Sequence, residues 1–165
     1  MCTALKADKP RVEDVLSSTL DSEKAEVALS FVAFLRALPM SPQWVGTNSW
    51  AVSFRGKRVC HIKVTANGGW YIRPAVQYDD ALRAFCDQKE LTSIMLANVH
   101  HCIGCGKCAP GKTATFFGKT LEHVCCSPID FEFHDPDNHT LECAKKIILY
   151  RRKAIMAASK NSKGR

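Results

Sequence analysis

Between Asn48 and Pro74 the apolar residues recur at every second position, and that period constrains the fold more tightly than any other feature of the chain. Trp50, Val52 and Phe54 alternate with Ala51 and Ser53; Cys60, Ile62 and Val64 alternate with His61 and Lys63; Trp70 and Ile72 follow. Side chains on a strand point to alternate faces, so each run is a strand with one apolar face. Arg55-Gly56-Lys57 and Ala66-Asn67-Gly68-Gly69 have turn composition, which makes the region a three-stranded antiparallel meander. A two-residue first turn without a bulge would put His61 on the face of Trp50, Val52 and Phe54. For Cys60 and Ile62 to share that face, the hairpin needs an odd turn or a bulge.

The flanking segments have helical period. Ala25, Ala28, Leu29, Val32 and Leu35 predict a helix over 22–38, capped by Asp21 or Ser22 and ended by Pro39 and Pro42, which bracket a loop. Pro10 opens a short helical turn before it. Asp79 or Asp80 caps a helix with Ala81, Leu82, Phe85 and Cys86 on its apolar stripe, and a second piece spans 90–99. Thr113–Phe117 and Leu121–Cys125 flank a tight turn at Gly118-Lys119, Ile129–Phe133 alternates as a further strand, and a last helix covers 140–158. The expected fold is α+β, an antiparallel sheet of five or six strands packed against helices. Residues 1–21 form an N-terminal segment with a short helix, 22–158 one domain with a Cys-rich insertion at 100–126, and 159–165 a basic disordered tail.

Its 165 residues are enough for one such core. The N-terminal residues lack the apolar run of a secretion signal, and no stretch of about 18 apolar residues offers a membrane span, so a cytoplasmic protein is expected. Nine cysteines, an odd number, in a reducing compartment argue against a disulfide framework and for metal or redox work. The net charge of +7 is uneven: residues 144–165 carry eight Lys and Arg and no acid, which leaves the first 143 residues near −1. Nucleic acid is therefore a candidate partner only through Lys145, Lys146, Arg151, Arg152, Lys153 and the tail; the plainer reading is a solvated helix face.

The chemistry is concentrated in His100-His101-Cys102-Ile103-Gly104-Cys105-Gly106-Lys107-Cys108. Three thiols at three-residue steps converge on one cation when glycines permit the turns between them. A hairpin that leaves this loop and returns brings Cys125 back as fourth ligand, with Cys126, His101 and His123 as alternates. Cys102, Cys105, Cys108 and Cys125 are the expected metal ligands, for zinc first and for a [4Fe-4S] cluster as the alternative. No catalytic residues are assigned and an enzyme is the less favoured reading: Cys60 and His61 lie on opposite faces of a strand, the sequence does not fix how His123 stands to Cys125, and neither pair is more than a weak signal for nucleophile and base. Gly111-Lys112-Thr113 lacks the strand and glycine spacing of a phosphate loop.

Two resemblances follow from these residues. Cys102-Ile103-Gly104-Cys105-Gly106-Lys107-Cys108 resembles the cluster loop of bacterial ferredoxins, although Lys112 stands where their fourth cysteine falls. Trp50–Ile62 after a helix, with Cys108–Lys112, Phe117–Lys119 and Val124-Cys125, is similar to the cysteine-bearing subset of the small bacterial YdhG/YjbR-like, frataxin-like proteins. That resemblance implies a compact α+β domain and favours Cys125 over Cys126; it implies no activity.

Overall fold

The computed structural model describes residues 9–104, 106 and 110–161, without the side chains of 160 and 161. Along the chain lie α1 (Val12–Thr19), α2 (Ser22–Ala37), β1 (Gln43–Gly46), β2 (Ser49–Phe54), β3 (Lys57–Val64), β4 (Trp70–Pro74), α3 (Asp80–Gln88), α4 (Thr92–Ala97), β5 (Lys112–Phe116), β6 (Lys119–Val124), β7 (Phe133–His134) and α5 (Asn138–Asn161). The main sheet has the order β1-β2-β3-β4-β7, antiparallel throughout, and β5-β6 form a separate two-stranded sheet. The protein is thus α+β. None of the described helices is long and apolar enough to cross a membrane.

The meander reaches its register by a bulge. Arg55 and Gly56 take the left-handed conformation, with φ 48° and 74°, in a two-residue turn that pairs Phe54 with Lys57. Ser53 pairs with Arg58 but Val52 with Cys60, so Val59 is the extra residue that restores the alternation. Trp50, Ile62, Ile72 and Phe133 then form one buried row across four strands. Helices α1, α2 and α5 cover that face. Leu141, Ala144, Ile147, Ile148 and Ile155 of α5 are buried, and Phe31 of α2 lies 6.3 Å from Trp70 between ring centroids. Burying each large side chain contributes about 1.5–3 kcal/mol. The helix starts are capped as expected: Lys24 N–H donates to Asp21 at 2.9 Å and Leu82 N–H to Asp79 at 2.7 Å.

Four local readings differ. The loop after Pro42 contains β1, an edge strand too short to show a period, joined to β2 through Asn48 at φ 52°. The hairpin turn is Phe117-Gly118, one residue earlier than expected. Of the expected 129–133 strand only Phe133 enters the main sheet, in a β7 that runs one residue beyond it to His134. The helix expected to reach residue 99 ends at Ala97, because tertiary pairing takes the backbone of the residues that follow.

Candidate metal centre

Residues 98–102 are the hinge between the two sheets. Val99 pairs antiparallel with Phe131; Glu132 N–H donates to the Asn98 carbonyl at 2.9 Å and His100 N–H to the Asp130 carbonyl at 2.8 Å. On the other side His101 pairs with Val124, with Cys102 N–H donating to the His123 carbonyl at 2.7 Å and Cys125 N–H to the His100 carbonyl at 2.8 Å. Val124 also pairs with Lys112 of β5. A continuous run of backbone pairing therefore leads from β4 and β7 to the hairpin.

This ladder sorts the side chains. Val99, Phe131 and Val124 lie buried on the core side, with Phe116 packed edge-on against Phe131. Register puts His100, Cys102, His123 and Cys125 on the opposite face, where Cys102 and Cys125 are diagonal neighbours. Diagonal ladder positions are about 7–8 Å apart at the backbone, within reach of two thiolates each about 2.3 Å from one zinc. Close approach is built in by Gly111, at φ 93°. A Cβ there would stand 2.7 Å from the Val124 carbonyl oxygen and 3.0 Å from the Cys102 Cβ.

Local polar groups favour ligand forms. Hydrogen bonding from Ser127, through its hydroxyl first and then its N–H at 3.5 Å, holds the Cys125 thiol below its usual pKa; Arg73 adds to this, while burial and Glu132 oppose it. His123, at φ 58° in the bulge of β6, places Nδ1 3.0 Å from the Pro110 carbonyl. A carbonyl only accepts, so Nδ1 donates this bond, which leaves Nε2 as the ring nitrogen a metal could take. His101 shares the Val124 face and not that of the thiols. His100 is buried, its Nδ1 3.4 Å from the Ile129 carbonyl and its Nε2 3.7 Å from Glu132. Cys126 is exposed next to Cys125. Cys105 and Cys108 lie outside the described residues, and among the described residues no three His, Cys, Asp or Glu side chains form a group able to hold a metal.

Glu132 was not singled out by the sequence. It is a buried carboxylate on the same outer face, bonded to Arg73 and His134, with His100 behind it. Together with His101 and Ile103 these histidines border a cavity of about 370 Å³ beside the cysteine loop. Its only sequence signal is its position between Phe131 and Phe133, which is that of any solvent-facing residue on a strand.

The other cysteines behave differently. Cys60 is fully buried and its pKa driven upward by burial, while its neighbour His61 lies on the outer face opposite Arg73, so the pair shares no site. Burial pushes Cys86 up to about 12 and Cys143 up to about 11. Compared with known proteins, the chain matches no family model, no curated protein and no solved structure.

Proposed function

We propose that the protein is a cytoplasmic metal-binding α+β module in which Cys102 and Cys125, with Cys105 and Cys108, hold one structural zinc that staples the cysteine loop and the β5-β6 hairpin to the main sheet. The observation that carries this reading is the ladder of residues 100–102 with 123–125, which sets two thiols, distant in sequence, on one face. Support comes also from the glycine that lets the loop close on β6 and from the Nδ1 hydrogen bond of His123, which leaves its Nε2 as a substitute ligand. A closed thiolate site has no open position for substrate, so the role is binding or regulation and not catalysis. The likeness to the YdhG/YjbR-like group belongs to the same proposal and suits a compact domain of this kind.

Metal analysis with an absorption spectrum on anaerobically purified protein tests it. About one zinc per chain, lost in a Cys102→Ser/Cys125→Ser double variant, is the expected result. A brown protein absorbing near about 400 nm would replace zinc by a [4Fe-4S] cluster on the same thiols. Less than about half an equivalent of any metal would remove the proposal.

A further inference from the structure

The basic helix α5 does not present one charged stripe. Lys145 is paired with Glu142 at 2.7 Å, and Lys146 and Lys153 border an apolar groove with Phe85. Arg151 and Arg152 turn to the β2-β3 hairpin. Arg151 Nε–H donates to the Arg58 carbonyl at 3.2 Å, and the Arg152 guanidinium lies 4.7 Å from the Phe54 ring, which Arg55 also approaches at 5.3 Å. Arg55, Lys57, Arg151 and Arg152 thus meet from elements about 93 residues apart in sequence, while Arg58 contributes its backbone carbonyl; none of the four is in an ion pair among the described residues. Arg55, Lys57 and Arg151 line a groove of about 570 Å³, floored by Ala154, Ile155 and Ala158 and free of acidic residues. Arg152 Nε is buried without a hydrogen-bond partner.

We propose that this groove binds the phosphate backbone of a nucleic acid. Four unneutralised cations held close together repel one another, an arrangement relieved by a polyanion that releases counterions when it binds. Arginine predominates, and its planar fork matches phosphate oxygens. An anionic membrane is the poorer fit, because the groove is concave and the exposed large apolar residues Val45, Ile103 and Leu149 lie outside it. The site shares no residue with the thiolate centre and includes Arg55 and Lys57 of the β2-β3 turn region, which lie outside the basic C-terminal segment.

Fluorescence anisotropy with a labelled single strand of about 20 nucleotides, over a salt series, tests the groove. With about four phosphates engaged, log K should fall with log salt at a slope near −3, at about −0.7 per phosphate. Replacing Arg55 and Lys57 by Gln should weaken the slope by about 1.4 and lower affinity at least about tenfold, while Lys145→Gln leaves the slope unchanged. Arg55 and Lys57 are exposed, and the fold is checked by circular dichroism; Lys57→Glu serves as a single-site variant, expected to weaken binding further than neutralising that position alone. No binding at about 50 mM salt would overturn the proposal, as would an unchanged slope in the double variant. So would displacement by millimolar inorganic phosphate at constant ionic strength, or binding to phosphatidylserine vesicles and not to the oligonucleotide.

Discussion

Cys60 and Cys125 both belong to β-structure, yet their surroundings give them opposite chemistry. Cys60 sits on the covered face of the main sheet, where burial disfavours its thiolate. Cys125 sits on the uncovered face of the ladder, where Ser127 and Arg73 favour its thiolate. Cys86 and Cys143 side with Cys60. What separates Cys60 from Cys125 is which face of a sheet the helices cover; Cys86 and Cys143 join the first class because α3 and α5 turn them into the core.

The sharpest test of that contrast is alkylation of chelator-treated protein, read by mass spectrometry of the labelled peptides. Cys125 and Cys126 should react in the native state. Cys60, Cys86 and Cys143 should wait for unfolding and so react more than about 10³-fold more slowly, given a stability of about 5 kcal/mol or more. Comparable rates for Cys60 and Cys125 would end the distinction.

Phe131 is where the two regions meet. It is wholly buried, pairs with Val99 and packs on Phe116. Phe131→Ala should cost about 3–5 kcal/mol in urea unfolding and, unlike a substitution elsewhere in the core, should also raise amide exchange at Cys102 and Cys125. Loss of stability with exchange at those amides unchanged would show that the ladder stands without the core.

Gly111→Ala acts on the ladder alone. Its Cβ would meet the Val124 carbonyl at 2.7 Å in a backbone conformation that also strains alanine, so about 1–3 kcal/mol of local destabilisation is expected. Metal content should fall while Cys60 stays unreactive. Full metal loading in this variant would place the binding site away from the loop closure.

The meander, the caps and the apolar faces of α2 and α5 could be read from the sequence because their signals are local: period 2, period 3.6, and Asp21 or Asp79 ahead of a periodic run. Requiring Cys60 and Ile62 to share a face with Trp50 left an odd turn or a bulge, and the chain takes the bulge, at Val59. Residues 98 and 99 fit the end of a helical period set by Leu91, Ile94 and Met95, and 100–102 read as the start of the cysteine loop. What decides their conformation is pairing with Asp130–Glu132 and His123–Cys125, which leaves no local trace. The return of Cys125 toward Cys102 was legible from hairpin geometry, whereas the burial of Glu132 with Arg73 and His134 was not, since it depends on what covers the outer face. The β2-β3 turn was read only as a turn; its charge matters because α5 brings Arg151 and Arg152 to it.

The smallest expected effect concerns the uncovered face itself. His61 is half-buried there, its Nε2 buried without a hydrogen-bond partner, and its pKa is held below 6.5 by burial first and then by Arg58, Arg73 and Lys63, with Glu132 opposing. Well above pH 6.5 the histidine is neutral in both folded and unfolded chains and contributes no pH dependence. As pH falls through 6.5 the unfolded chain takes up the proton first, so stability declines until the folded-state pKa is passed. His61→Gln should flatten that part of the Tm-against-pH profile and leave the profile above it unchanged. A decline of equal size in the variant would assign the effect to other groups on this face, and the environment that favours the Cys125 thiolate would then not extend to β3.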